Sequence, residues 1–246
     1  MIVKDAAYEK RNLGVGSYEI TIEDDTFEAF LKQLAALPPT EYLVVRTPVC
    51  RPDFLWGMQE AGFTFMESMI HAQMRPEALR PLDRFAQFEN TVSFAVADDA
   101  PTRQAVYDRV RTQLLYTTDR ISLDRHFSVE AANRRYANWM ADAYNAGSQI
   151  VQGFYEGTAV FCFFVQPLNK NNEGSSGILS LYPEGRGKGL GPYMIYEQAK
   201  MQFDSGASLV RTGFSSNNTA SIRAHLSVGY GIERMEYVYV RHLPKG

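Results

Sequence analysis

Hydrophobic positions in residues 91–246 recur with two different periods. Apolar side chains return every three or four positions in residues 102–115, 129–143, 190–203 and 219–226, which predicts four helices. Shorter runs rich in β-branched and aromatic residues predict strands at residues 91–96, 149–155, 159–166, 177–182, 207–214 and 232–241. Glu156-Gly157-Thr158 is the predicted turn of a hairpin, and residues 169–176 form a polar loop. The predicted order is β-α-α-β-β-β-α-β-α-β, a mixed α/β arrangement.

The first 88 residues show a weaker pattern of the same kind. Strands are predicted at residues 18–22, 42–46 and 63–74, and helices at residues 26–37 and 54–61. Residues 75–89 contain Pro76, Pro81 and many charged side chains, which are typical of a linker. The sequence therefore predicts a smaller N-terminal α/β domain at residues 1–88 and a larger domain at residues 89–246.

A short repeat connects the two predicted domains. Val45-Arg46-Thr47 returns as Val210-Arg211-Thr212, and each copy precedes a polar loop, a short helix, a Gly-aromatic pair and a long strand. The Gly-aromatic pairs are Gly62-Phe63 and Gly229-Tyr230. A tripeptide match alone arises by chance, whereas the shared order of elements is stronger evidence. We hypothesise that the N-terminal domain contains a degenerate copy of the last β-α-β unit.

Composition and charge narrow the class of protein. The 246 residues are 45% hydrophobic and 22% charged, which is typical of a globular protein with a buried core. The net charge of −3 argues against nucleic acid or an anionic membrane as the main partner. Cys50 and Cys162 fit neither a disulfide framework nor a zinc pattern, so we expect reduced thiols and no bound metal. Because the first residues lack a signal-peptide stretch and the longest apolar run, residues 159–165, is too short to span a membrane, we expect a cytoplasmic protein.

A glycine-rich segment, residues 185–191, lies between a predicted strand and a predicted helix. Glycines there allow a tight turn that points successive backbone N–H groups at one place beside the positive end of the helix dipole, which suits a pyrophosphate. A P-loop would need Ser or Thr after Lys188, and a dinucleotide-binding loop would need glycine where the chain has Leu190. The pattern that remains is Arg-x-x-Gly-x-Gly, at Arg186, Gly189 and Gly191, and a plain flexible turn is the alternative.

A second motif follows downstream of the glycine-rich segment. Asn218, Ser221, Gly229 and Tyr230 match the pattern Asn-x-x-[Ala/Ser]-x-x-x-Tyr-x-x-x-Gly-[Phe/Tyr], with His225 in place of the first Tyr. The two motifs in this order resemble the GNAT superfamily of N-acetyltransferases. The resemblance covers residues 91–243. It implies an α/β (α+β) fold of the GNAT acyl-CoA N-acyltransferase type with a mixed central sheet, preceded by the smaller α/β domain.

The resemblance also implies a cosubstrate and its site. The cosubstrate is acetyl-CoA, and its acetyl group passes directly to a primary amine. The strand at residues 177–182 lines the pantetheine arm, the glycine-rich loop holds the pyrophosphate, and a downstream Asn bonds to the arm. The residues implied to bind acetyl-CoA are Leu179, Leu181, Arg186, Gly187, Lys188, Gly189, Leu190, Gly191, Asn218 and Ser221.

The proton donor departs from the superfamily pattern. In many members the Tyr of the downstream motif protonates the leaving CoA thiolate. His225 stands there instead, and a His with a pKa near 6.5 is mostly unprotonated at neutral pH, whereas a Tyr keeps its proton. We predict His225 and Tyr230 as the catalytic residues, with Tyr237 and Tyr239 as alternatives for the acid. The acids available as a general base are Asp119, Glu173 and Glu184.

The resemblance to the GNAT superfamily also implies an acceptor site around residues 119–127, Tyr136 and Trp139. This segment and the extra N-terminal domain are similar to the TDP-fucosamine acetyltransferase group, which implies a nucleotide-linked amino sugar as the acceptor. Another small amine is the alternative, since Tyr136 and Trp139 also fit a core stripe. We expect a small-molecule amine as the partner, and a homodimer stays open. The competing function is a CoA-binding module for sensing or assembly, without efficient transfer.

Overall fold

The computed structural model describes residues 1–243, and the last three positions of the predicted 89–246 domain lie outside them. The helices within this range are α1 (Ala7–Leu13), α2 (Phe27–Ala35), α3 (Pro52–Glu60), α4 (Ala100–Gln113), α5 (Val129–Asn145), α6 (Leu190–Asp204) and α7 (Thr219–Val228). The strands are β1 (Ile2–Asp5), β2 (Ser17–Thr21), β3 (Tyr42–Pro48), β4 (Thr64–Met74), β5 (Val92–Val96), β6 (Gln149–Tyr155), β7 (Thr158–Val165), β8 (Glu173–Ser176), β9 (Leu179–Leu181), β10 (Leu209–Ser215) and β11 (Gly231–His242). No helix among the described residues combines the length and hydrophobicity needed to cross a membrane.

One seven-stranded sheet runs through both halves of the chain. Its strand order is β1-β2-β3-β11-β4-β10-β8. β4, the last strand of the N-terminal half, lies between β11 and β10 and is antiparallel to both. Backbone hydrogen bonds therefore join the two halves along both edges of β4. β10 and β11, which both belong to the C-terminal half, are separated by β4 and do not pair with each other.

The central strands are arranged symmetrically. β3 pairs with β11 and β10 pairs with β4, both antiparallel, while β11 and β4 pair with each other in the centre. Outside them, β2 is parallel to β3 and β8 is parallel to β10. The unit β2-α2-β3-α3-β4 thus has the same connectivity as the unit β8-β9-α6-β10-α7-β11, with the last strands exchanged across the centre. This is the arrangement that two copies of one unit produce.

A second sheet, of order β5-β6-β7-β9, belongs to the C-terminal half. β8 and β9 are parts of one extended segment that changes sheets, since β8 pairs with β10 and β9 pairs with β7. The two sheets therefore part at Gly177 and Ile178, between β8 and β9. Beyond this point β9 and β10 no longer lie side by side, which leaves a gap between the sheets.

Apolar clusters hold the layers together. α6 lies over both sheets and buries Leu190 and Tyr193 in one cluster with Phe161 of β7 and Val210 of β10. α2 and α3 pack on the outer strands of the seven-stranded sheet in a separate cluster around Phe30. Burial of this apolar surface is the main favourable term for the fold.

The structure differs from the predicted element order in two places. Residues 169–176, predicted as a loop, include β8, because backbone pairing with β10 makes this polar segment a strand. The first 13 residues, for which no element is predicted, form β1 and α1. β1 is exposed along its whole length and α1 buries Glu9 and Asn12 rather than an apolar stripe, so neither has the expected pattern. The other predicted helices and strands, and the turn at Glu156 and Gly157, are confirmed with small shifts of their ends.

Gly229 determines where the linker after β4 can lie. It ends α7 with φ 118°, and a Cβ at this position would lie 1.9 Å from the carbonyl oxygen of Ala78. The adjacent Val228 carbonyl accepts a hydrogen bond of 2.9 Å from the Arg80 N–H. Only glycine satisfies both the left-handed backbone and this close approach.

We predict that Gly229→Ala lowers the free energy of unfolding by about 3 kcal/mol or more. The new Cβ would overlap the backbone of Ala78, and the alanine would also have to adopt a left-handed backbone conformation. Gly206→Ala is the matched control: Gly206 follows the end of α6 with φ 99°, and a Cβ there would meet none of the described atoms within 4 Å. The control should cost only about 1 kcal/mol. Urea denaturation of both variants measures the difference, and equal losses would contradict the contact with Ala78.

Candidate active site

A cavity of about 1120 Å³ opens where the two sheets part. Its walls come from the segment between β8 and β9, the glycine-rich loop, α7, the segment between α4 and α5, and the face of the seven-stranded sheet. The predicted cofactor residues that line it are Leu179, Leu181, Arg186, Gly187, Gly189, Leu190, Gly191, Asn218 and Ser221. His225 also lines it, whereas Lys188 and Tyr230 are not among the lining residues. The structure thus brings most of the predicted set to one cavity, and their roles in binding stay a prediction.

Glycines of the glycine-rich loop line this cavity at the start of α6. Gly187 and Gly189 have φ values of 75° and 76°, and Gly189 directly precedes α6. The first turn of α6 has no side-chain cap and no acidic residue within the described chain. A Cβ at Gly191 would meet no described atom within 4 Å, so that side of the helix start is open. This is the geometry of an anion site at a helix N-terminus.

Three of the arginines that line the same cavity are exposed. They are Arg84, Arg186 and Arg223. None of them forms an ion pair with another residue in positions 1–243. Unpaired guanidinium groups near open N–H groups suit a ligand with several phosphates. Lys188 instead places its ammonium 5.2 Å from the ring centre of Tyr155.

The segment between α4 and α5 brings a hydroxyl, which sequence reasoning missed, to β9 beside the parting of the sheets. The Tyr116 hydroxyl lies 3.0 Å from the carbonyl oxygen of Leu179 and 2.6 Å from the Ser180 hydroxyl. Its ring stacks on Tyr136 with ring centres 3.6 Å apart. Burial raises the pKa of Tyr116 well above its ordinary value, so the hydroxyl keeps its proton at neutral pH. Tyr116 follows a helix in an irregular segment, and no motif marks it.

The downstream motif forms the start of α7. The side-chain oxygen of Asn218 accepts a hydrogen bond of 3.0 Å from the Ser221 N–H and so caps the helix. Its side-chain NH₂ group donates no hydrogen bond to any residue in the range 1–243. Since Asn218 lines the cavity, this group is available to a ligand.

His225 has no proton to offer to the cavity. Its Nδ1 lies 2.8 Å from the backbone oxygen of Ser221, and because that oxygen only accepts, Nδ1 carries the hydrogen of the neutral ring. Burial lowers the pKa of His225 to about 4. The buried Nε2 has no hydrogen-bond partner among the described residues, and the ring packs between Phe214 and Tyr230. The structure therefore supports a packing role for His225.

The acids predicted as bases are engaged elsewhere. Asp119 lines the cavity, but its carboxylate accepts hydrogen bonds of 2.8 Å from the Ile121 N–H and the Ser122 hydroxyl. Glu173 accepts a hydrogen bond from Asn169, and Glu184 forms an ion pair with Arg109. Neither Glu173 nor Glu184 is among the lining residues.

The N-terminal half contributes charged residues that sequence reasoning missed. Arg46 of β3 and Glu67 of β4 both line the cavity. Glu67 is 2% exposed, and its Oε2 has no hydrogen-bond partner in the described part of the chain. Burial raises the pKa of Glu67, while a hydrogen bond from Ser215 and the charges of Arg120 and Arg46 oppose that shift. Arg46 belongs to the repeated tripeptide, but strand pairing decides which face it occupies, and sequence does not show that pairing.

A buried charge network stands behind these residues. Glu9 of α1 accepts hydrogen bonds of 2.7 and 2.9 Å from the Nε of Arg135, and Glu19 of β2 lies 2.9 Å from Arg120. Arg135 and Arg120 are 2% and 4% exposed. The Arg135 guanidinium also lies 3.6 Å from the ring centre of Trp139. The network fixes α5 and the segment before it against the N-terminal half.

A separate cluster, Asp124, His126 and His242, brings one ligand atom of each residue within 4.8 Å of the others. His242 and Asp124 are already hydrogen-bonded at 2.7 Å, and the rings of His126 and His242 stack. None of the three lines the cavity.

Comparisons with known proteins identify the architecture. No family model and no curated protein matches the sequence. A GCN5-related N-acetyltransferase from Sphaerobacter thermophilus superposes with a TM-score of 0.57 at 11% identity, over 89% of this chain and 66% of that one. A GCN5-related N-acetyltransferase from Kribbella flavida gives 0.56 at 15% identity, over 94% and 82%. A functionally unknown conserved protein from Staphylococcus epidermidis gives 0.64 at 14% identity, over 93% and 84%.

The chain has the GNAT fold. This confirms the fold expected from the two motifs, while identities this low carry no information on the substrate. Within the GNAT fold of this chain, the parting of β9 from β10 and the glycine-rich loop before α6 lie on the walls of one cavity. The chain spans 66% of the Sphaerobacter protein, so that protein has further parts that this comparison does not cover.

We predict that His225 makes the fold acid-sensitive. In the unfolded chain His225 binds a proton near pH 6.5, whereas in the folded chain it binds one only near pH 4. Because the unfolded state binds more protons between these two values, the free energy of unfolding falls as the pH falls from about 6.5 to about 4. Wild type should therefore lose about 2 kcal/mol more than His225→Phe between pH 7 and pH 4.5. Urea denaturation at both pH values measures this difference. The same pH dependence in both proteins would show that His225 is not held neutral by burial.

Proposed function

We propose that the chain is an acetyl-CoA-dependent N-acetyltransferase that acts on a primary amine of a small molecule by direct transfer. One observation carries the proposal. The glycine-rich loop at the open start of α6 and the gap between β9 and β10 line the same cavity. A ligand with phosphates at one end and a reactive group on a narrow arm fits both features. The GNAT fold and the Arg-x-x-Gly-x-Gly motif favour acetyl-CoA among such ligands.

The residues of the cavity fit acetyl-CoA in chemical terms. The N–H groups of residues 187–191 suit the pyrophosphate, and Arg84, Arg186 and Arg223 suit the charges of its phosphates. The apolar side chains of Leu179 and Leu181 suit the pantetheine arm. The free amide NH₂ of Asn218 suits a carbonyl of that arm. Ser221 contributes through the helix cap that orients Asn218.

We assign the role of proton donor to the leaving sulfur to Tyr116, in place of the predicted His225 and Tyr230. Its hydroxyl lies beside Leu179 and Ser180 on the wall of the cavity, and it keeps its proton at neutral pH because burial raises its pKa. Tyr116→Phe should lower kcat by about 100-fold and leave acetyl-CoA affinity unchanged. Isothermal titration and steady-state kinetics measure the two effects. An unchanged kcat would move the acid role back to another group.

We further propose that residues 1–88 form a degenerate GNAT-like half beside the transferase part at residues 89–246. The exchange of β4 and β11 and the repeated connectivity support this. The N-terminal copy has Asp24-Asp25-Thr26 before α2 where the other copy has the glycine-rich loop before α6. Carboxylates at that position repel phosphate, so this half is expected to bind no CoA.

For the acceptor we propose a nucleotide-linked amino sugar as the first candidate, in a cytoplasmic protein. Tyr136 and Trp139 line the cavity, and aromatic faces suit the apolar side of a sugar ring. Cys50 and Cys162 are both free thiols, which supports a reducing location. An acceptor screen that includes amino acids and polyamines tests the choice.

We predict that Gly191→Val abolishes acetyl-CoA binding and keeps the fold. A side chain there would fill the open space beside the helix start and block the approach of a pyrophosphate. Gly231→Val is the matched control, because Gly231 also has open space but does not line this cavity. Thermal-shift titration with acetyl-CoA, CoA and ATP measures binding.

Wild type and the control should be stabilised by acetyl-CoA and CoA but not by ATP. Equal stabilisation of Gly191→Val would contradict the assignment of the loop. If acetyl-CoA binds but no tested amine causes the release of CoA, the CoA-binding module is favoured over the transferase.

A further inference from the structure

Two charged residues of the cavity wall lie in one row of the seven-stranded sheet. Val238 of β11 is the direct partner of Arg46 on β3 and of Glu67 on β4. Directly paired residues point to the same face of a sheet, so Arg46 and Glu67 flank Val238 on one face. Two strand spacings put their Cα atoms roughly 10 Å apart. Arg46 and Glu67 both line the cavity.

Arg46 is a half-buried cation whose pKa is lowered by burial and by the charge of Arg120, while the carboxylates of Glu19, Glu236 and Glu67 oppose that shift. No carboxylate in residues 1–243 forms an ion pair with it, and it makes no hydrogen bond there. The other buried arginines differ, because Arg120 bonds to Glu19 and Arg135 bonds to Glu9. A buried guanidinium without a partner costs free energy unless a ligand supplies the anion.

Glu67 is the charged residue of opposite sign on the other side of Val238 from Arg46. Its carboxyl is buried, its Oε2 lacks a partner among residues 1–243, and it opens on the same cavity. The charged groups that face it are Arg46 of β3 and Arg120 and Asp119 from the segment between α4 and α5. A buried carboxylate of this kind suits an ammonium group that is about to lose a proton.

We propose, on the basis of the function inferred above, that the acceptor carries an anionic group in addition to its amine, with Arg46 binding the anion and Glu67 taking the proton of the ammonium. The N-terminal half thereby supplies acceptor recognition to a cavity whose cosubstrate end belongs to the C-terminal half. The anion is a carboxylate or a phosphate, since a guanidinium binds either through paired hydrogen bonds.

The chemistry balances with these two residues. The ammonium gives one proton to the Glu67 carboxylate and becomes a neutral amine. Its lone pair forms the C–N bond, the C–S bond breaks, and the electron pair of that bond leaves with the sulfur. Tyr116 gives its proton to the sulfur and is reprotonated by a second proton from the nitrogen. Glu67 then returns the proton that it took from the ammonium to solvent.

Matched acceptor pairs test the anion requirement. An α-amino acid is compared with its methyl ester, and a nucleoside-diphosphate amino sugar is compared with the neutral methyl glycoside of the same amino sugar. Release of CoA thiol is measured at saturating acetyl-CoA. We expect the anionic member of one pair to have a kcat/KM about 100-fold higher than its neutral partner, and the pair identifies carboxylate or phosphate as the source. Equal rates within both pairs would overturn the proposal.

Arg46→Gln should remove this preference by slowing the anionic acceptor alone, and Arg46→Lys should restore part of it. Arg211→Gln is the matched control, because Arg211 is the same residue of the repeated tripeptide but pairs with Glu173 and Glu233 outside the cavity. The control should keep the preference. A preference that survives Arg46→Gln, in a variant that still binds acetyl-CoA, would overturn the role of Arg46.

Glu67→Gln should lower kcat/KM about 100-fold at pH 7 and change its pH dependence. Wild type should be flat between pH 7 and 8.5, since ionised Glu67 accepts the proton of the ammonium. The variant should rise about tenfold per pH unit, because only the free amine then reacts. A merely structural role would lower both profiles without changing their slopes. Failure of acetyl-CoA to bind any of these proteins would instead refute the proposed transferase, so the two failures are distinct.

Discussion

The insertion of β4 between β10 and β11 is the constraint on which the rest of the molecule depends. Because β4 is paired on both edges with strands of the other half, the two halves are joined through backbone hydrogen bonds as well as through side-chain contacts. The insertion brings Glu67 to the centre of the sheet, and the pairing of β3 with β11 brings Arg46 into the same row. The left-handed end of α7 at Gly229 then lets the linker after β4 pass close to the helix. A cavity with charged residues from both halves follows from this one exchange.

The charges of the site are arranged in two layers. The inner layer pairs Arg135 with Glu9 and Arg120 with Glu19, and these buried pairs hold the segment around α5 against the N-terminal half. The outer layer is Arg46 and Glu67, which line the cavity, and Oε2 of Glu67 has no hydrogen-bond partner among residues 1–243. The ion pairs provide a rigid wall, and the groups without a direct partner provide recognition, because such a group gains most from a ligand.

The sequence predicted the local elements well and the site only in part. Periodicity identified α4 to α7 and the hairpin of β6 and β7, and the glycine-rich segment and Asn218 indicated the GNAT fold, since both patterns depend on neighbours along the chain. β8 was missed because its strand conformation depends on β10, and α1 because its buried residues are Glu9 and Asn12. Glu67 and Tyr116 carry no motif, and Arg46 belongs only to the repeated tripeptide. The positions of Arg46 and Glu67 depend on strand pairing with β11, more than a hundred residues along the chain, and that of Tyr116 depends on its contact with β9. His225 was identified by its place in a motif, but only burial and its bond to Ser221 show that it stays neutral.

The exchanged strand also has a consequence for synthesis of the chain. β4 ends at Met74, whereas both of its partners lie beyond residue 208. While the ribosome makes the intervening residues, at a rate of roughly 5–20 per second, both edges of an eleven-residue strand lack their final partners for several seconds or more. Open strand edges pair readily with other chains. The same strand exchange that brings Glu67 to the centre of the sheet therefore creates a period in which the open edges of β4 can pair with strands of other nascent copies.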